Sequence, residues 1–284
     1  MRIDAHQHFW SVSRGDYGWL TPALTPLYRD FGPADLAPLL AEAGIARTIL
    51  VQAAPTVAET HYLLDMAART PTVAGVVGWV DFAQPGVAEE IDRLAKNPLL
   101  VGLRPMVQDI ADDDWLADPG LAPAFAALIA HDLVFDALVL PRHLSRLLAV
   151  LDRHPALAVV VDHAAKPDIA HRRHDPSRYD SWRADIAAVA ARSGTTCKLS
   201  GLVTEAGPDW TVAALRPVVD HLLQMFGPTR LLWGSDWPVL TLAASYRSWL
   251  DAAVEMTGHL GAEQTAALFG GNAARVYLAR RGRK

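Results

Sequence analysis

Arg2-Ile3-Asp4-Ala5-His6-Gln7-His8-Phe9-Trp10 opens the chain as a β-strand, and the two histidines inside it decide how the rest is read. Residues two apart on an extended strand project the same way, so the His6 and His8 imidazoles share one face. Near the other end stands Trp233-Gly234-Ser235-Asp236-Trp237-Pro238, an apolar run that closes on a carboxylate. If the strands close into a barrel, the first and last become neighbours. Asp236 then faces both histidines across one strand boundary, and a site forms from the two ends of the sequence.

Between these ends, short apolar runs alternate with longer alanine- and leucine-rich segments. Strands are predicted over residues 3–9, 48–53, 73–80, 100–106, 134–140, 158–163, 196–202 and 230–235. Their near-continuous hydrophobicity fits strands covered on both faces, as in a parallel sheet. Helices are predicted over 33–40 (closed by Gly44), 57–69, 87–95, 121–131, 143–153, 181–192 and 211–226. Eight strands at an average of roughly 33 residues per unit favour an α/β fold, a (β/α)8 TIM barrel forming one domain over residues 1–284. A doubly wound open sheet is the rival, but no Gly-x-Gly-x-x-Gly follows the first strand. Two loops interrupt the pattern where barrel enzymes build their sites, residues 11–32 after strand one and 166–178 after strand six. The tail Gly282-Arg283-Lys284 is expected to fray into solvent.

The bulk properties narrow the class. Apolar residues make up 51% of the 284, ample for a large core. A net charge of -5 argues against nucleic acid or an anionic membrane as partner. Cys197 is the only cysteine, which excludes an intramolecular disulfide and fits a reducing cytoplasm. A strand beginning at Ile3 leaves no room for a signal peptide, and no apolar run reaches the length of a membrane span. The expectation is a cytoplasmic enzyme with a small-molecule substrate, and its apolar helix faces could support a homodimer.

The polar residues that could do chemistry fall at or near strand C-terminal ends. They are His6 and His8 on strand one, Arg104 on strand four, Asp136 on strand five, Asp162 and His163 on strand six, Lys198 and Ser200 on strand seven, and Asp236 after strand eight. Parallel closure aims the set at one mouth, and an unpaired buried charge is costly enough that each needs a partner. Arg104 can clamp a substrate or hold an internal carboxylate such as Asp136. Lys198 and Ser200 can orient substrate hydroxyls or complete a buried ion-pair network. Asp162 suits the orientation of a histidine. The cluster His171-Arg172-Arg173-His174 is too short for nucleic acid and reads as a solvated loop face. Gly-x-Ser-x-Gly and Walker sequences are absent, and Cys197, alternating with Lys198, reads as core.

His6-x-His8, Asp162-His163-Ala164-Ala165-Lys166-Pro167 and Trp233-Gly234-Ser235-Asp236-Trp237-Pro238 together resemble the amidohydrolase superfamily. More narrowly, they resemble its sugar-lactonase branch, the L-fuconolactonase-like and L-rhamnonolactonase-like hydrolases. Tyr17-Gly18-Trp19-Leu20 and Asp236-Trp237-Pro238-Val239 through Ala243-Ala244-Ser245-Tyr246 extend the likeness, which covers essentially the whole chain. The resemblance implies that Asp236 is the base that activates water against a lactone carbonyl. It implies that His6, His8 and His163 line the same pocket. Arg104 and Lys198 suit substrate contact and stabilisation of the oxyanion, and Asp136 and Trp19 can match the lactone's hydroxyls and ring. Where binuclear relatives carry a metal-bridging lysine and mononuclear ones a strand-five histidine, Val134-Phe135-Asp136-Ala137-Leu138 offers an aspartate. That departure disfavours a two-metal site. Hydrolysis with no required cofactor and hydrolysis with one divalent cation, zinc or manganese, held by His6, His8, His163 and Asp236 both stay open. So do a metal-dependent decarboxylase or amide hydrolase, and a non-catalytic sugar-acid binding protein on the same scaffold.

Overall fold

The structure, a computed structural model, describes residues 1–172 and 175–279. Arg173, His174 and the tail Gly282-Arg283-Lys284 lie outside the described residues. Eight strands run in chain order around one sheet: β1 (Arg2–Gln7), β2 (Ile45–Val51), β3 (Val73–Gly78), β4 (Leu100–Leu103), β5 (Val134–Ala137), β6 (Val159–Val161), β7 (Thr195–Leu199) and β8 (Leu231–Trp233). Every neighbouring pair is parallel. Just past β8 the barrel closes on β1, where Gln7 bridges Trp237 and the Asp236 amide donates to the His6 carbonyl at 2.8 Å. This is the expected TIM barrel.

Strict alternation would spoil the site. Ile3 and Ala5 pack inward with Ile49, Val51, Val77, Val101, Val134, Val160 and Leu232, so His6 should point out. Between Asp4 and Gln7, however, β1 advances three residues while its partner advances two, from Thr48 to Leu50. That bulge leaves one extra residue and turns His6 into the barrel, with Gln7 facing out to the Thr48 hydroxyl at 3.2 Å. Glycine at 234 lets β8 come this close, since a Cβ there would sit 2.8 Å from the Cβ of His6.

The helices form the outer layer: α1 (Pro33–Ala43), α2 (Val57–Ala68), α3 (Val87–Leu94), α4 (Ala122–Ala130), α5 (Leu144–Arg153), α6 (Pro176–Ala190), α7 (Leu202–Ala206), α8 (Val212–Phe226), α9 (Tyr246–Met256) and α10 (Ala262–Ala266). Pro176 occupies the first turn of α6, where its missing N–H does no harm, so this helix begins inside the segment expected to be loop. After α10, wide helical turns over Ala267–Gly271 and Ala274–Leu278 bring Ala273, Val276 and Tyr277 into the same cluster as the inward strand residues. The end of the described chain thus floors the barrel. Among the described residues no helix is long and apolar enough to cross a membrane.

Candidate active site

The strands stop sooner than their apolar runs suggest, and the site residues stand on the turns that follow. β6 ends at Val161, and residues 163–166 all take positive φ between 51° and 59°. A left-handed turn of non-glycine residues is costly, roughly 1–2 kcal/mol each. Its small members Ala164 and Ala165 are buried, and the Ala164 carbonyl accepts from the Trp182 indole at 2.8 Å. Asp236 also sits at positive φ, 60°. Such strain concentrates at functional sites because the surroundings over-determine it. Here it delivers His163 and Asp236 to a common point.

At that point four donor atoms meet. His6 Nε2 and His8 Nε2 are 3.1 Å apart, and Asp236 Oδ1 lies 3.3 Å from His8 Nε2, 3.6 Å from His6 Nε2 and 3.8 Å from His163 Nε2. Each ring has a second contact: His8 Nδ1 with the Val51 carbonyl at 2.8 Å, and His163 Nδ1 with the Ser200 hydroxyl at 2.8 Å. His6 Nδ1 faces the Lys198 ammonium at 3.1 Å and the Asp162 carboxylate at 3.4 Å. The contact with the Val51 carbonyl fixes the orientation of the His8 ring and keeps its Nε2 turned toward Asp236.

Beneath lies a charged layer. Lys198 bridges Asp136 at 2.5 Å and Asp162 at 2.8 Å, while Arg104 pairs with Asp162 at 3.1 Å and also donates to the backbone carbonyl of Gln52. Tyr277 rises from the barrel floor and its hydroxyl is 2.9 Å from both Asp136 oxygens. The internal carboxylate held by Arg104 is therefore Asp162, and Asp136 belongs to Lys198. Asp136 and Lys198 are fully buried and do not line the cavity above them, which argues against direct substrate contact for either.

Burial and these neighbours set the charge states. Burial raises Asp236, but His163, the hydrogen bond from His8 and the charges of His6 and His8 outweigh it and hold the carboxyl well below the usual range. Burial pushes His163 down to about 4, and burial together with Lys198 holds His6 well below its ordinary value. At neutral pH the centre combines an ionised Asp236 carboxylate with neutral imidazoles at His6 and His163. Burial pushes Asp136 up to about 6, whereas Asp162, drawn by Lys198, His6 and Arg104 against its own burial, stays low.

A cavity of about 180 Å³ opens above, lined by His8, Trp19, Arg104, His163, Lys166 and Asp236 among others. Trp19 is braced by its indole hydrogen bond to the Ala53 carbonyl at 2.7 Å and by an edge contact with Trp10. Several supporting residues carry no signal in the sequence. Glu59 on α2 accepts from the Ala53 and Ala54 amides at 3.0 and 2.7 Å and fixes that wall. Asp4, which burial pushes up to about 6, accepts from the amides of His6 and Ser235 and from the Tyr246 hydroxyl. Lys166 stands in the quoted motif, but only the left-handed turn reveals that it faces the cavity.

The amidohydrolase family model matches residues 3–278. The chain belongs to the amidohydrolase family. Among similar amidohydrolases, a Burkholderia ambifaria protein named L-fucono-1,5-lactonase is 49% identical over 97% of this chain and 95% of its own length. A Burkholderia multivorans protein of the same name is 40% identical over 98% and 96%. A crystal structure of an amidohydrolase from Burkholderia multivorans with bound zinc superposes with a TM-score of 0.91 at 39% identity, covering 98% of this chain and 99% of that one.

Proposed function

We propose that this amidohydrolase opens the ring of a sugar lactone of the L-fucono-1,5-lactone type by attack of water. The observation that carries the reading is the convergence of Asp236 Oδ1 on three imidazoles at the mouth of the barrel, beside Arg104. The names borne by relatives 40% and 49% identical favour lactone hydrolysis over decarboxylation, amide hydrolysis or sugar-acid binding without turnover.

Ionised Asp236 takes a proton from water as its oxygen bonds to the lactone carbonyl carbon. Negative charge grows on the carbonyl oxygen, where Arg104 supplies fixed positive potential in a dry setting. Collapse breaks the bond to the ring oxygen, which receives the proton held by Asp236, and the sugar acid leaves. His8 and His163, locked by Val51 and Ser200, position the water.

A single divalent cation fits the same centre. His6, His163 and Asp236, whose ligand atoms lie within 4.8 Å of one another, would hold it, with His8 Nε2 beside them at 3.3 Å from Asp236 Oδ1. Bound there, the cation would polarise the lactone carbonyl or acidify water. Our reading is that it is accommodated rather than required, because Lys198 and Arg104 already place two positive charges against His6, at 3.1 and 3.4 Å. Hydrolysis of an aldonolactone panel, followed by proton release before and after chelation, tests both parts. The expected result is turnover of L-fucono-1,5-lactone that chelation changes less than twofold. Turnover lost on chelation and restored by zinc or manganese would make the cation essential, and no turnover in any condition would remove the lactonase reading.

A further inference from the structure

Beside the catalytic cavity runs a second one of about 470 Å³, whose lining includes Trp19, Trp79, Trp115, Phe82, Asp81 and Asp109. The two share Trp19, Met106 and Asp109 in their linings, so they adjoin on either side of the Trp19 indole. Of the nine tryptophans, Trp10, Trp182, Trp233, Trp237 and Trp249 are buried. Four are half-buried, and three of those, Trp19, Trp79 and Trp115, face this one groove. Large aromatic rings left open to solvent in one place are informative, since their burial is otherwise strongly favoured.

The walls of the groove are braced by the fold. Trp19 is pinned to the Ala53 carbonyl, and Trp115 leans on Phe82, which packs on the core rings Phe125 and Phe135. Exposed Asp81 and Asp109 edge the aromatic walls. Flat apolar faces suit the C–H faces of a pyranose, and carboxylates, which only accept, suit its hydroxyl donors. An aryl or acyl group would use the rings and leave two carboxylates unmatched. We propose that this groove binds a second sugar unit, so that the substrate class extends to aldonolactones carrying a hexosyl group on a ring hydroxyl. The proposal rests on the lactonase reading for what occupies the catalytic cavity.

Affinity for the product acids tests the groove without turnover. The probes are L-fuconate and its three glucosyl derivatives, substituted on O2, O3 or O4, titrated calorimetrically into the wild-type protein, Trp79→Ala and Trp115→Ala. The expected result is that one derivative binds about tenfold more tightly than L-fuconate, and that either substitution returns it to the affinity of L-fuconate. Three derivatives that bind no better than L-fuconate would overturn the proposal, using the wild-type protein alone. So would a gain that survives both substitutions. Turnover of plain L-fucono-1,5-lactone is measured alongside. If that fails while the affinity gain holds, the lactonase reading falls and the sugar groove stands; the converse result removes only the groove.

Discussion

Asp236 is the residue whose replacement speaks most directly to chemistry. Its carboxylate is ionised at neutral pH and meets three imidazoles, so Asp236→Asn keeps the shape and removes the proton acceptor. The expected loss in kcat is about a hundred- to ten-thousand-fold, with an unchanged circular-dichroism spectrum; a variant that retains its rate would show that another group accepts the proton. Asp4 makes a separate, thermodynamic prediction. Its carboxyl titrates near 6 in the fold against 3.8 in a free chain, so the folded state holds the proton more tightly. Stability from this group is greatest below the unfolded value and is lost as pH rises from about 4 to 6. Asp4→Asn can keep the Oδ1 contacts with the His6 and Ser235 amides while removing the titration. Relative to wild type, the variant is expected to gain up to about 3 kcal/mol between pH 4 and pH 7 in chemical denaturation. A constant difference across that range would mean that Asp4 titrates normally. At this scale His6, His8 and Asp236 were legible because strand spacing and motif both point to them. Asp4 and Glu59 were not, because their meaning lies in amides that only the folded chain brings near.

Among elements, the strands were read correctly in number and order, and their ends were not. Strand six was expected to run through His163, yet it ends at Val161 and the backbone from His163 on breaks into a left-handed turn that no glycine announces. Helix α6 starts at Pro176 rather than residue 181, because proline is acceptable in a first turn. Helix α9 passed unnoticed, although Ser245 caps it by accepting from the Ser248 amide. The β1 bulge is equally silent, since alternation of side chains gives no sign of an extra residue. One connection can be tested directly. Gly201, between β7 and α7, has φ of +66°, and a Cβ there would lie 2.6 Å from His163 Nδ1. Gly201→Ala should destabilise the protein by about 2–3 kcal/mol through backbone strain and the displaced ring. Because His163 must move, kcat should fall as well, and full activity in a destabilised variant would show that the His163 position is not critical.

At the scale of the whole molecule, the last described turns of the chain and the site at the opposite mouth are joined through one column of side chains. Tyr277 stands on the floor, donates to Asp136, and Asp136 holds Lys198, which touches both Asp162 and His6. The column explains how a barrel lumen otherwise filled by valine, isoleucine and leucine can contain an ammonium and two carboxylates: each charge has an opposite one within 3 Å. Removing the Tyr277 hydroxyl should therefore be felt in two places. Tyr277→Phe leaves Asp136 a buried acceptor without its tyrosine donor, at about 1–3 kcal/mol in stability. With Asp136 less firmly placed, Lys198 shifts against His6, and kcat should drop severalfold. KM should stay within about twofold, because Tyr277 does not line the cavity. Denaturation curves and steady-state kinetics on the same preparation separate the two effects. Lost stability with kcat unchanged would mean that Lys198 and Asp162 hold His6 without help from below, and that the floor of the barrel serves folding alone.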